Sequence, residues 1–242
     1  MRQRTCFLAA IGWMWAGAAI AEPSDYIYLP QVEVGEREVD FKFGSAQQAG
    51  GTNQAASLGF GYGASETWFT EIYLKYTRVA DVTRYDAVEW ENKFQLTETG
   101  KYPLDLGAVI EFEVPRDRSE GYELKLGLLS QTDVGKLQLN GNLLLQRQYR
   151  NATGGQTQLG YQWQAKFPWR PELDFGLQGM GEVGQWNRWA SHQDQNHRMG
   201  PTVFGKLALG GRQSLRYNAA WLIGVSQAAP DHTLRLQTEF EF

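Results

Sequence analysis

The chain has 242 residues, 42% hydrophobic, 13% aromatic and 21% charged, with 23 basic against 27 acidic side chains and a formal net charge of −4. No basic stripe or run is present to meet phosphates, which excludes nucleic acid as a partner, and no segment beyond residue 21 approaches the roughly 18 consecutive apolar residues of a membrane helix. The mean hydropathy of −0.46 leaves a membrane barrel open, because its strands need only about 9–11 residues and alternate in character.

Arg2 and Arg4 precede an apolar run from Cys6 to Ile20, and the small-residue pattern Ala19-Ile20-Ala21 follows it before Glu22. Residues 1–21 therefore read as a secretory signal peptide with cleavage expected near Ala21, and the run is too short for a spanning helix. Cys6 is the only cysteine, so the exported chain is expected to carry no disulfide. Residues 22–36, with Tyr26, Tyr28, Leu29 and Pro30, lack a strand period. They read as a periplasmic N-terminal leader, either disordered or folded up into the mouth of the domain that follows.

From Arg37 onward the dominant period is two, the repeat of strands whose side chains point alternately to opposite faces. Val39, Phe41 and Phe43 alternate with Glu38, Asp40 and Lys42; Leu58, Phe60 and Tyr62 alternate with Ser57, Gly59 and Gly61. Trp68, Ile72, Leu74 and Tyr76 oppose Glu71 and Lys75, and Val88, Trp90 and Phe94 oppose Glu89, Glu91 and Lys93. The pattern recurs in 104–112, 122–128, 137–145, 159–167, 173–177, 203–209, 215–223 and 234–242. These segments predict residues 37–242 as one all-β domain, an antiparallel up-and-down transmembrane β-barrel of about 12 strands. Connections after odd strands, such as Gln47–Gln54, Val79–Tyr85 and Trp186–His197, are expected to be longer than those after even strands, such as Glu98–Tyr102 and Gly210–Arg212. Short periplasmic turns and longer outer loops would place both termini in the periplasm.

Alternation alone fits an apolar face turned to lipid, to the ligand cavity of a lipocalin-like barrel or to a sandwich core. Lipid is favoured because twelve strands enclose more space than side chains readily fill. The opposite face carries Glu71, Lys75, Glu89, Glu91, Lys93, Glu111, Glu113, Glu123, Lys125, Arg216, Arg235 and Glu239, and a lysine or arginine among them would cost about 2–4 kcal/mol at the bilayer midplane. Turned inward they line a lumen and are the candidates for selectivity, with the acidic excess favouring cations. Trp68, Tyr76, Tyr102, Tyr149 and Trp221 fall toward strand ends as interfacial girdles require, whereas Trp90 and Trp163 lie nearer mid-strand.

The last nine residues, Leu234 to Phe242 with Leu236 and Phe240 between them, resemble the terminal strand of bacterial outer-membrane proteins. The whole-chain pattern resembles small porin-like barrels of that superfamily, and the opening from Tyr26 to Arg37 resembles uncharacterised proteobacterial members. The resemblance implies residence in outer-membrane lipid as a monomer or small homo-oligomer, with Phe240 and Phe242 read by the barrel-assembly machinery.

Candidate chemistry is sparse. A lipid hydrolase of this superfamily would need a histidine and a serine in hydrogen-bond reach at the lipid interface, but the three histidines lie in a polar loop (His192, His197) and at the start of the last strand (His232). His192, Asp194 and His197 read as a solvated loop and not a metal site. The pairs Glu89/Glu91 and Glu111/Glu113 share a face and read as parts of salt-bridge ladders in preference to a glycosidase-like dyad. Gly59, Gly61 and Gly63 precede no helix, so they read as space in the barrel wall and not as a phosphate loop. No cofactor, metal or catalytic residue is expected. The leading reading is a channel for small hydrophilic solutes filtered by its charged lumen, and the alternative is a closed structural or surface-interaction barrel contacting partners through Trp186 and Trp189.

Overall fold

The computed structural model describes residues 22–151, 155–170 and 172–242. The expected signal peptide, residues 1–21, lies outside the described residues.

Period-two alternation builds twelve long strands. They are β1 (Arg37–Gln48), β2 (Gly51–Ser65), β3 (Trp68–Val79), β4 (Val82–Gln95), β5 (Asp105–Pro115), β6 (Tyr122–Val134), β7 (Leu137–Tyr149), β8 (Gln158–Arg170), β9 (Leu173–Gln185), β11 (Asn196–Gly210), β12 (Gln213–Gly224) and β13 (His232–Glu241), with a two-residue β10 (Arg188–Trp189) folded back onto β9. Each long strand pairs antiparallel with the next, and β13 pairs with β1 from Glu38↔Glu241 to Gln47↔His232. That last ladder closes the sheet, so no long strand is left with an unpaired edge. The result is a closed up-and-down barrel of twelve strands, and Arg37 and Glu241 mark its terminal rim.

The connections depart from the predicted lengths in an instructive way. Those expected at Gln47–Gln54 and Val79–Tyr85 shrink to two residues each, 49–50 and 80–81. Ala80 and Asp81 both adopt positive φ (49° and 64°), the geometry that lets a two-residue turn follow the strands' right-handed twist. The turn expected to be tight at Glu98–Tyr102 instead spans residues 96–104.

Burial is inverted relative to a protein folded in water. Phe60 and Ile72 are each 55% exposed and Leu143 57%, whereas Glu111 is 2% exposed and Asp40 and Gln178 1%. The apolar face points outward on every long strand, as hydrocarbon requires. Aromatic pairs gather at both ends of this belt: Trp68/Phe94, Trp169/Phe175 and Phe240/Phe242 toward the terminal rim, and Tyr76/Tyr85, Tyr122/Tyr149 and Trp221/His232 toward the far rim. Trp90, the mid-strand exception, donates its indole N–H to Thr70 Oγ1 at 2.9 Å, and Trp68 likewise reaches Asn92 Oδ1 at 3.0 Å. Each indole thereby satisfies a polar atom on the outer face, where no water is at hand to do so.

Candidate functional site: the occupied lumen

The interior of the barrel is filled by the chain's own N-terminal segment. Gly35, at φ 77°, reverses the chain between this segment and β1. Gly35 N–H donates to Gly63 C=O (2.8 Å), and Gly63 N–H donates to Glu36 C=O (2.9 Å), pinning the reversal at the terminal rim. From there the segment threads back through the lumen, with Val32 N–H on Gln95 Oε1 (2.8 Å) and Pro30 against Gly107. The first described residues, Glu22 and Pro23, approach Ala46, Thr77 and Pro230 on the side of the far rim. The expected leader is thus a plug, residues 22–36.

Polar contacts hold the plug at mid-height. Asn142 Nδ2 donates to Tyr28 C=O (2.9 Å), and Gln162 Nε2 donates to Tyr26 C=O (2.7 Å), satisfying plug carbonyls that water no longer reaches. The Tyr26 hydroxyl donates to Glu91 and the Tyr28 hydroxyl to Glu111. Lys42 lies over the rings of Tyr26 and Tyr73, 3.4 and 3.6 Å from their centroids, where the negative ring faces attract the ammonium. Two apolar clasps add to these contacts: Ile27 packs with Met180, Ala220 and Leu222, and Tyr28 packs with Val109 and Leu129 beside Leu144.

The wall is cut to receive the plug. A Cβ built on Gly44 would lie 2.0 Å from Pro23 O, and one on Gly63 would lie 1.9 Å from Glu33 O. Gly59 and Gly61 instead admit the rings of Tyr73 and Phe69 from the neighbouring strand. The glycine stripe is therefore space in the wall, used partly by the wall and partly by the plug.

Among the predicted lumen residues, Glu71, Glu89, Glu91, Glu111 and Arg235 are buried inside the barrel. Lys75 bridges Glu89 (3.1 Å), Glu113 and the plug's Glu22 (2.9 Å), and Lys125 pairs with Glu111 (2.6 Å). Glu123 faces Glu113 across β5 and β6. Arg216 pairs with Glu241, with Glu36 (3.6 Å) and with Glu239 (3.9 Å) near the terminal rim. Lys93 lies 4.9 Å from the Phe69 ring centroid and, among the described residues, forms no ion pair. Oxygens of Glu89, Glu91 and Glu111 lie within 4.8 Å of one another, but a lysine or a plug tyrosine engages each of them. A cavity of about 240 Å³ remains beside the plug, its lining including Ile27, Leu29, Lys93, Lys166, Phe204 and Arg216.

Trp186 and Trp189 lie in the long far-rim loop and are 58% and 64% exposed. In the same loop Ser191 Oγ donates to Asp194 (2.7 Å), whereas His197, expected in the loop, lies on β11 opposite Gly181, with both ring nitrogens engaged, by Tyr161 OH (2.9 Å) and Gln195 Oε1 (2.7 Å). Ser191 is thus directed to a carboxylate and not to a histidine base. Phe242 N–H donates to Arg37 C=O (3.0 Å), so the terminal aromatics belong to the closing ladder.

Several wall residues escape a charge-based reading: the amides Gln131, Asn140, Asn142, Gln162, Gln164 and Gln178, the buried Arg198, and the apolar Val109, Leu129, Met180 and Leu222. The sequence does carry a trace of the apolar set. Leu143-Leu144-Leu145, Leu128-Leu129 and Leu222-Ile223 break the alternation, placing an apolar residue on an otherwise polar face, where it needs an apolar partner.

No family model matches the chain, and no curated protein matches it by sequence. Solved structures do match in fold. The NanC porin aligns over 85% of this chain and 98% of its own at 10% identity, TM-score 0.56. An outer-membrane channel from Pseudomonas putida F1 aligns over 92% and 100% at 14% identity, TM-score 0.54, and the KdgM porin over 85% and 98% at 6% identity, TM-score 0.53. At such identities the likeness is one of fold, the twelve-stranded barrel shared with outer-membrane porins and channels.

Proposed function

We propose that the chain is an outer-membrane channel for small hydrophilic solutes, held shut at rest by its own residues 22–36, and that the charged wall filters what passes once the plug yields. One observation carries this reading. The space inside twelve strands is filled by a separate segment, held through hydrogen bonds, the Lys75–Glu22 ion pair and two small apolar clasps. A purely structural barrel has no need of a polar wall that exchanges readily for water; a conduit does. The porin and channel folds among the structural neighbours agree with it.

In this reading the signal peptide is removed near Ala21, both termini face the periplasm, and Phe240 and Phe242 are recognised during barrel assembly. The alternative, a closed barrel for surface interaction, draws on the exposure of Trp186 and Trp189. Planar-bilayer recording separates the two. The full processed chain should open rarely, and a variant lacking residues 22–34 should give steady steps. An inserted, folded deletion variant without conductance would favour the structural barrel.

A further inference from the structure

The acids and bases of the lumen are not equally satisfied. The acidic cluster on β4 and β5 is covered by Lys75, Lys125 and the two plug tyrosines. Across the barrel, Arg198 on β11 and Arg235 on β13 are only 2% and 5% exposed. Arg198 Nη2 donates to Glu22 C=O (3.0 Å) and lies 3.7 Å from Asp25, while its Nε and Nη1 have no partner. Arg235 donates to Asn218 Oδ1 (3.4 Å), its Nη1 has no partner, and among the described residues no carboxylate lies within ion-pair distance. The buried hydroxyls of Thr202 and Thr233, on the same two strands, are also unpartnered.

Two buried guanidiniums, with Asp25 at 3.7 Å as their only carboxylate within ion-pair distance among the described residues, Glu182 further off on the neighbouring β9, and several idle donors, are an unfinished arrangement, because buried charge is stable only when paired and hydrogen-bonded. What covers them is plug: Pro23 and Ser24 pass against Gly44, the register partner of Arg235, and Glu22 and Asp25 reach Arg198. Guanidinium forks match the oxygens of carboxylate and phosphate groups.

We propose, resting on the channel reading, that Arg198 and Arg235 with Thr202 and Thr233 form a binding site for a small oxyanion, a phosphate- or carboxylate-bearing solute. Glu22 C=O and Asp25 of the plug occupy it in the closed state as imperfect substitutes. The solute and the plug then compete for one site, so the solute itself favours opening, because it binds only the plug-out state. The lumen selects anions at this level, opposite to the expectation from the count of acidic residues, because the guanidiniums retain free donors while Glu89, Glu111 and Glu113 are paired with Lys75 and Lys125.

The test is bilayer recording of the full processed chain at constant ionic strength, with inorganic phosphate replacing chloride, followed by reversal potentials in a salt gradient. Phosphate should lengthen open time several-fold, and Asp25→Asn should do so without phosphate. Arg198→Gln and Arg235→Gln should each abolish the phosphate response and move the reversal potential away from anion preference. Open times indifferent to phosphate, or a cation preference unchanged in both arginine variants, would overturn the proposal while leaving the channel standing, provided that the variant lacking residues 22–34 conducts. If that variant inserts and does not conduct, the channel reading fails and the competition fails with it.

Discussion

A side chain at Gly44 would have nowhere to go. Its Cβ would stand 2.0 Å from Pro23 O and 2.5 Å from Ser24 N, and Gly44 is held in register on both sides, by Arg235 and by Ala55. Closed ladders resist displacement, whereas the plug at this level is unpaired with any strand, so the plug must give way. Gly44→Val is expected to raise conductance toward that of the plug-deleted barrel without altering the strand spectrum in circular dichroism or the heat-dependent gel mobility of the folded form. A closed channel with normal mobility would show that Pro23 and Ser24 take no part in the seal. Neighbouring glycines that look the same in sequence differ in use, since Gly59 and Gly61 make room for the wall residues Tyr73 and Phe69. Composition cannot distinguish these roles, because each depends on which ring or backbone crosses the glycine from outside its own strand.

At the scale of elements, the plug and the wall are joined through residues that break the strand pattern. Tyr28 packs on Val109 and Leu129, inner positions otherwise given to charges and amides. Leu129→Gln places on the wall the residue type that its neighbours Gln131 and Asn142 already supply, so the barrel should tolerate it while the clasp loosens. Removing such a contact costs about 2–3 kcal/mol, and the expected outcome is a clear rise in open probability with an unchanged urea unfolding midpoint for the barrel. A lowered midpoint with unaltered gating would mean that Leu129 supports the wall and not the plug. The twelve strands were legible because one face of each is predominantly apolar, from Val39-Phe41-Phe43 to Leu234-Leu236. The two-residue turn at 80–81 was not, because Ala80-Asp81 lacks the glycine that commonly marks such geometry. The plug was half legible: Tyr26, Ile27, Tyr28 and Leu29 are too apolar for a solvated leader, but the apolar partners of Ile27 and Tyr28 lie 81 to 195 residues away on five strands, and only barrel closure brings them together. Arg198 stayed hidden for a related reason, since it lies outside the apolar stretch by which its strand was recognised.

For the whole molecule, the inverted burial, paired girdles and closed ladder describe a barrel suited to a bilayer, and in the proposed reading the segment inside decides whether it conducts. Salt bridges such as Lys75 with Glu89 and Lys125 with Glu111 stiffen one side of the lumen, while the guanidinium side stays underpaired, so the interior is electrically divided across its width. In the proposed reading that division makes the resting plug a competitor of the solute and not merely an obstacle. The central claim, that residues 22–36 gate the lumen, can be tested on one protein in two states. Residues 22–242 contain no cysteine, so Ile27→Cys with Leu222→Cys introduces a single bridge across a contact that the clasp already makes. Once gel mobility has shown the bridge to be formed, single-channel recording should find no openings under oxidising conditions, and discrete steps on reduction in the same bilayer. Equal currents before and after reduction would contradict the account.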